Sequence, residues 1–270
     1  MIVTIQIHGR IYTAGLTDPI DISIPLNFDG PQPNAYGVEP ASAEPCVAGE
    51  LVGDTRRGGS CNFEKYTLIP HCNGTHTECV GHVTNERISI RDCLRDTLMP
   101  AILISIDPER PDAVSENYAI AFDKSDKLIT KSVLEKAISG TVIDGPTALI
   151  VRTRPNDERR LSRQYLDVVP AYFTTEAMQF IVDSAFKHLL VDTPSIDRLY
   201  DEGRLSNHRL FWNIEPGSFE LNANSRVNNT VTELIYVPNE IEDGEYLLNL
   251  QIAPFNADAS PSRPVIFKLA

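Results

Sequence analysis

Nowhere in its 270 residues does the chain hold the run of about 18 apolar residues that a membrane-crossing helix needs. It also lacks cationic excess. Lys and Arg number 24 against 37 Asp and Glu, a formal charge of −13. A nucleic-acid backbone is bound through clustered Lys and Arg, so that partner is not expected. An anionic substrate stays compatible, because a few local arginines reverse the field over a small region. The first residues alternate apolar and polar side chains and show no basic stretch followed by a continuous apolar core. They read as a strand and not as a signal peptide. Cysteines are few and odd in number: Cys46, Cys61, Cys72, Cys79 and Cys93. A disulfide framework is therefore not expected, and a reducing cytoplasm is the expected compartment. Internal repeats, low-complexity tails and linkers are absent, so residues 1–270 read as a single domain.

The remaining composition is that of an average globular protein, 42% apolar and 23% charged. Period-2 runs at 2–7 and 20–25 predict strands. Residues 27–50 hold many of the Pro, Gly and Asn residues and predict a long loop. Apolar runs at 101–106, 148–153, 189–192, 234–237, 246–252 and 264–269 predict further strands. Helical spacing predicts helices over 129–138, with Thr130 as N-cap and Gly140 as stop, and over 174–188. Strands and helices alternate in the middle, with strands alone at both ends, which points to an α/β fold with a mixed sheet.

Of six histidines, three fall within twelve residues: His71, His76 and His82. Cys72, Glu78 and Cys79 share the window. Thiolate, imidazole and carboxylate all bind divalent transition metals. Cys72, His76, Glu78 and His82 are all even-numbered, and in an extended chain residues two apart face one side. Asn73-Gly74 opposes a helix and favours a turn or bulge, which would bring His71 to the metal instead of Cys72. The pattern is neither a zinc finger nor His-Glu-x-x-His. His8 and His188 match no motif and read as structural. Arg152 and Arg154, at the end of a buried strand, read as an anionic-substrate clamp or, more simply, as a solvated strand end.

Gly74-Thr-His-Thr-Glu-x-x-x-His82 resembles the His-x-Gly-Thr-His-x-Asp-x-Pro-x-His signature of the cyclase-like metal-dependent hydrolase family, to which bacterial kynurenine formamidase and isatin hydrolase belong. Asp21-Ile-Ser-Ile-Pro-Leu26 is similar to the family's early Asp-Leu-Ser-x-Pro. Val191-Asp-Thr-Pro-Ser-Ile-Asp197 is similar to its Gly-x-Asp-Thr-x-Ser-x-Asp. Thr232-Glu-Leu234 and the 254–263 stretch resemble two later motifs, in the same order. The departures are Cys72 in place of the first His, with His71 one residue early, and Glu78 in place of Asp. Val80 stands in place of Pro, and an insertion is expected at 212–230.

The resemblance implies a swivelling β/α/β-type fold and a homo-oligomer, expected as a homodimer. It also implies a distal His and Glu in the metal site, best matched by His208 and Glu233. The expected ligands are Cys72 (or His71), His76, Glu78, His208 and Glu233. The expected cofactor is a divalent metal, zinc ahead of manganese because of the cysteine. His82 is expected as general base and then acid. The expected activity is an amidohydrolase of the arylformamidase type, opening a formamide, amide or lactam carbonyl of a small molecule. A catalytically silent ligand-binding relative is the rival reading, motivated by the Cys72 and Glu78 departures.

Overall fold

Most of the apolar runs meet in one nine-stranded sheet, joined at its edge by the start of the 20–25 run, whereas the 2–7 run pairs with Arg10–Gly15 in a separate two-stranded sheet. The order of the large sheet is Ala259–Pro261, His76–Glu78, Thr230–Glu233, His188–Val191, Ala148–Thr153, Leu98–Ile106, Gly244–Asn249, Val265–Lys268 and Ile20–Asp21. The computed structural model describes residues 1–7, 9–139 and 147–270. His8 and the Gly140 helix stop lie outside them. The four strands from Leu98–Ile106 to Thr230–Glu233 run parallel, and antiparallel strands flank them on both sides.

Parallel strands are covered on both faces, which is why the central three, at 98–106, 148–153 and 188–191, are largely apolar. Leu149, Val151, Leu189 and Val191 face one core, and Ala148, Ile150 and Leu190 face the other. The first core is closed by helices. Lys131–Ile138 starts where the Thr130 hydroxyl accepts from Val133 N at 3.3 Å, and it buries Leu134 and Ile138. Thr175–Asp183 starts at Thr174 in the same way and buries Ala177, Met178 and Ile181.

Three expectations are corrected. The second helix ends at Asp183 and not near 188, because Ala185 turns left-handed (φ 61°) and His188 already begins a strand. The strand expected at 234–237 instead occupies Thr230–Glu233. Leu234 leaves the ladder with φ 54°, and its N–H bonds to Thr193 O at 3.0 Å. The 27–50 segment is not all loop, since Ser42–Pro45 pairs with Glu64–Thr67 and Val47–Ala48 with Leu51–Val52. A short helix, Ser206–Trp212, was not foreseen. It buries His208, Phe211 and Trp212.

Two registers prepare the site. Glu233 lies opposite His76, and Val231 opposite Glu78, so adjacent antiparallel strands present the two carboxylates and an imidazole together.

Candidate metal centre

The segment 71–82, expected to be extended, consists of a helical turn at Pro70–Asn73, the strand His76–Glu78 and a 3₁₀ turn at Val80–Val83. Pro70 suits the first position of the turn. The turn is locked where the Asn73 side-chain oxygen accepts from Ile69 N at 2.7 Å and Cys72 N donates to Ile69 O at 3.0 Å. Consecutive residues of a helical turn diverge by about 100°, so the shared face inferred for an extended chain does not hold. His71 takes the facing side, with Nε2 at 3.4 Å from Glu78 Oε2. Cys72 packs with Ile24, Ala35, Tyr165, Leu199 and Leu234. Burial, aided by Glu233, pushes its thiol up to about 11.

The strand then delivers His76 and Glu78, both buried. Thr75 ties this strand to the rest of the site. Its hydroxyl accepts from Ile24 N at 2.8 Å and donates to Leu234 O. Gly81 is required where it stands, since a Cβ there would lie 2.2 Å from Ile88 O. The chain therefore passes close to Ile88 before it presents His82.

From across the sheet come His208 and Glu233. The Asp197 carboxylate accepts from Asn207 N (2.8 Å) and His208 N (3.1 Å), capping the Ser206–Trp212 helix. The same carboxylate lies 2.6 Å from His208 Nδ1, with Tyr118 OH donating to it at 2.6 Å. His208 Nε2 is thus aimed at Glu78 Oε1 (2.8 Å) and Glu233 Oε1 (3.5 Å). Glu233 is itself held by Ile196 N at 2.9 Å. Burial opposes ionisation of both Glu78 and His208. The charges of His82, His208 and His71 override it for Glu78, and those of Glu78, Asp197 and Glu233 override it for His208. Glu78 is held well below the ordinary carboxyl range and His208 well above the ordinary imidazole range.

A seventh group completes the cluster. Asp258 Oδ2 lies 3.2 Å from His71 Nε2 and 3.3 Å from His82 Nδ1. These two imidazoles hold its carboxyl far below the ordinary range. Asp258 belongs to the 254–263 motif, but its partners are nearly two hundred residues away in sequence, so no spacing rule selects it. Asp197 closes the 191–197 motif. Its grip on His208 is visible only once the short helix exists.

Among the described residues, the potential ligand atoms fall into three overlapping groups: His71, His82 and Asp258; Glu78, His82 and His208; His76, Glu78 and Glu233. Within each group they lie within 4.8 Å of one another. The donor chemistry fits a divalent cation. His76 Nδ1 lies 3.0 Å from the Gly74 carbonyl, and only an N–H can face that oxygen. Nε2 is buried, without a hydrogen bond and 3.5 Å from Glu233 Oε2, so an imidazole lone pair and a carboxylate oxygen are available to one cation held between them. Cys72 stands in none of the three groups.

Replacing Cys72 by Ala is accordingly expected to leave metal content unchanged and to lower unfolding stability by about 1 kcal/mol. Metal analysis with urea unfolding checks this, and loss of half the metal would return Cys72 to the ligand set.

The cluster opens into a cavity of about 640 Å³, walled by Tyr36, Leu199, Tyr200 and Leu205. Tyr36 and Tyr200 meet edge to face with centroids 6.0 Å apart. Tyr36 holds φ 60°, rare for an aromatic residue and typical of strained functional positions. Arg152 and Arg154 do not reach this cavity. Arg152 is buried and clamps Ser105, Asp243 and the carbonyls of Pro238 and Ile241. Arg154 pairs with Asp107.

Comparison with known proteins bears on this site. The family model Cyclase, described as "Putative cyclase", matches residues 20–198. Kynurenine formamidase of Bacillus anthracis is 25% identical over 253 residues, covering 92% of this chain and 96% of that protein. Isatin hydrolase A from Labrenzia aggregata superposes with a TM-score of 0.60 at 15% identity, covering 93% of each chain. A predicted metal-dependent hydrolase from Bacillus stearothermophilus gives 0.58 at 14% identity, covering 93% of this chain and 98% of the other. The structural likenesses speak for the fold, and the match over well more than half of the sequence speaks for the family. The chain belongs to the Cyclase family.

Proposed function

We propose that this chain is a metal-dependent hydrolase of non-peptide C–N bonds, acting on the formamide, amide or lactam carbonyl of a small aromatic molecule. The observation that carries the reading is the converging set of four imidazoles and three carboxylates, with His76 Nε2 aimed at Glu233 and with His71, Glu78, His82, His208 and Glu233 lining a tyrosine-walled cavity. The ligands are proposed as His76, Glu78, Glu233 and His208, with His71 in the place expected for Cys72. With the thiol set aside, the donors are imidazole and carboxylate. These accommodate zinc and manganese alike, so the cysteine-based preference for zinc loses its support. A homo-oligomer, a single domain and a cytoplasmic setting, all expected from the sequence, belong to the same proposal.

A divalent cation held here supplies Lewis acidity, acidifying water and polarising a carbonyl oxygen. Asp197 holds the His208 Nδ1–H, so Nε2 is the nitrogen whose lone pair would be presented to the cation. His82 lines the cavity with Nδ1 toward Asp258, so Nε2 is the nitrogen left to serve the substrate. It takes the proton from water and delivers it to the departing nitrogen, as imidazole does near neutral pH. Tyr36, Tyr200 and Leu199 present flat apolar surface to an aromatic ring.

Incubating the metal-loaded protein with an aromatic formamide in heavy-oxygen water tests the reaction class. Hydrolysis places one labelled oxygen in the released acid and yields a free arylamine. An unlabelled acid, or turnover only by ring closure, contradicts it.

A further inference from the structure

A second cavity, of about 490 Å³, reverses the charge of the molecule. In a chain of net −13 it gathers five cationic side chains, Lys127, Arg154, Arg159, Arg160 and Arg163, against Asp157 and Asp167. Ion pairs consume only part of this charge. Arg154 pairs with Asp107 (2.6 Å) and Arg160 with Asp192 (3.5 Å), while Arg159 (3.0 Å) and Arg163 (3.1 Å) share the single carboxylate of Asp157. Lys127 has no ion-pair partner among the described residues.

The floor is built and not merely charged. Arg160 is 6% exposed and is fixed by Thr153 Oγ1 at 2.6 Å and by the carbonyls of Thr153, Pro155 and Asp192. Its Nε is buried and makes no hydrogen bond of good geometry, and neither does the buried hydroxyl of Tyr165 beside it in the cavity lining. The Tyr165 oxygen faces the Arg160 guanidinium, which leaves its O–H as a buried donor without an acceptor, a cost that an oxyanion relieves. Val168, Val169 and Pro170 form an apolar flank.

This cavity is not the metal cavity. The chain passes between the two at 193–195, where Thr193 lines the basic cavity and Pro194 and Ser195 line the other. No metal-facing His or Glu lines the basic one.

We infer that the basic cavity binds a small organic anion, its carboxylate or phosphate head on Arg160, Tyr165 and Arg163 and its apolar body against Val168 and Val169. Guanidinium suits both heads, because its planar fork matches paired oxyanion oxygens.

Calorimetric titration of the metal-loaded protein with benzoate and, separately, inorganic phosphate tests this. Both are expected to bind, with benzoate the tighter because it alone has a body for the apolar flank. A Lys127→Gln/Arg159→Gln variant removes two rim charges outside the proposed catalytic and metal-binding residues. It is expected to weaken both anions about tenfold while leaving hydrolytic turnover without added anion unchanged. The Glu78→Gln protein is expected to keep benzoate affinity, which separates this site from the metal cavity and from the reading of that cavity. Phosphate binding alone, still sensitive to the rim variant, keeps the site and assigns its occupant as a phosphate. No binding of either anion, or binding that the rim variant leaves unchanged, overturns the inference.

Discussion

Replacing Glu78 by Gln is expected to empty the site of metal while leaving the protein folded. Glu78 belongs to two of the three groups of potential ligands and is 1% exposed, so no water replaces what it offers. Gln keeps the shape and removes the charge that His208 Nε2, His71 and His82 face. Residues outside the ligand shell of a metal already cost 10- to 100-fold in affinity when changed. A buried carboxylate shared by two of these groups is therefore expected to cost more than about 100-fold in metal affinity, and turnover falls with it. Equilibrium dialysis against zinc or manganese, alongside a far-ultraviolet spectrum, reads both effects. Full metal occupancy in the variant would remove Glu78 from the centre.

His82 is expected to separate metal binding from chemistry. The group His76, Glu78 and Glu233 does not include it, so His82→Ala should keep most of its metal. Loss of a positioned acid–base group lowers turnover about 10²- to 10⁴-fold. The informative readout is kcat against metal content. Retained activity ends the base role. Loss of metal together with activity instead makes His82 a ligand, which its place in the other two groups would then explain.

The sequence showed the location of the chemistry better than its geometry. The cluster of histidines between 71 and 82 marked the site, and the ordered motifs supplied His208 and Glu233. Both prove to lie within reach of that cluster. The register that places Glu233 opposite His76 had no local sign, because strand pairing between residues over 150 apart leaves none. The exchange of Cys72 for His71 turned on four residues. Parity counts faces only in extended chain, and Pro70 starts a helical turn there. Asp258 matters through imidazoles more than 170 residues away, which leaves no local sign, whereas Asp197 reaches His208, only eleven residues on, through the short helix that its own carboxylate caps.

The inner strands were legible because burial on both faces demands continuous apolar sequence. The Ser206–Trp212 helix was not. It is short and opens at a left-handed Leu205, and its cap comes from Asp197, outside the local sequence. The end of the second helix was set by Ala185, whose left-handed turn no propensity scale foresees.

The seven-residue cluster is proposed as a metal centre that drives hydrolysis. Metal analysis of the purified protein, followed by chelation and titration back with zinc or manganese while aromatic formamide hydrolysis is followed, tests it most directly. The account predicts about one or more equivalents of a divalent transition metal per chain. It also predicts activity that vanishes on chelation and returns in step with the added metal. Less than about 0.2 equivalents, with no hydrolysis after either metal is supplied, would contradict it.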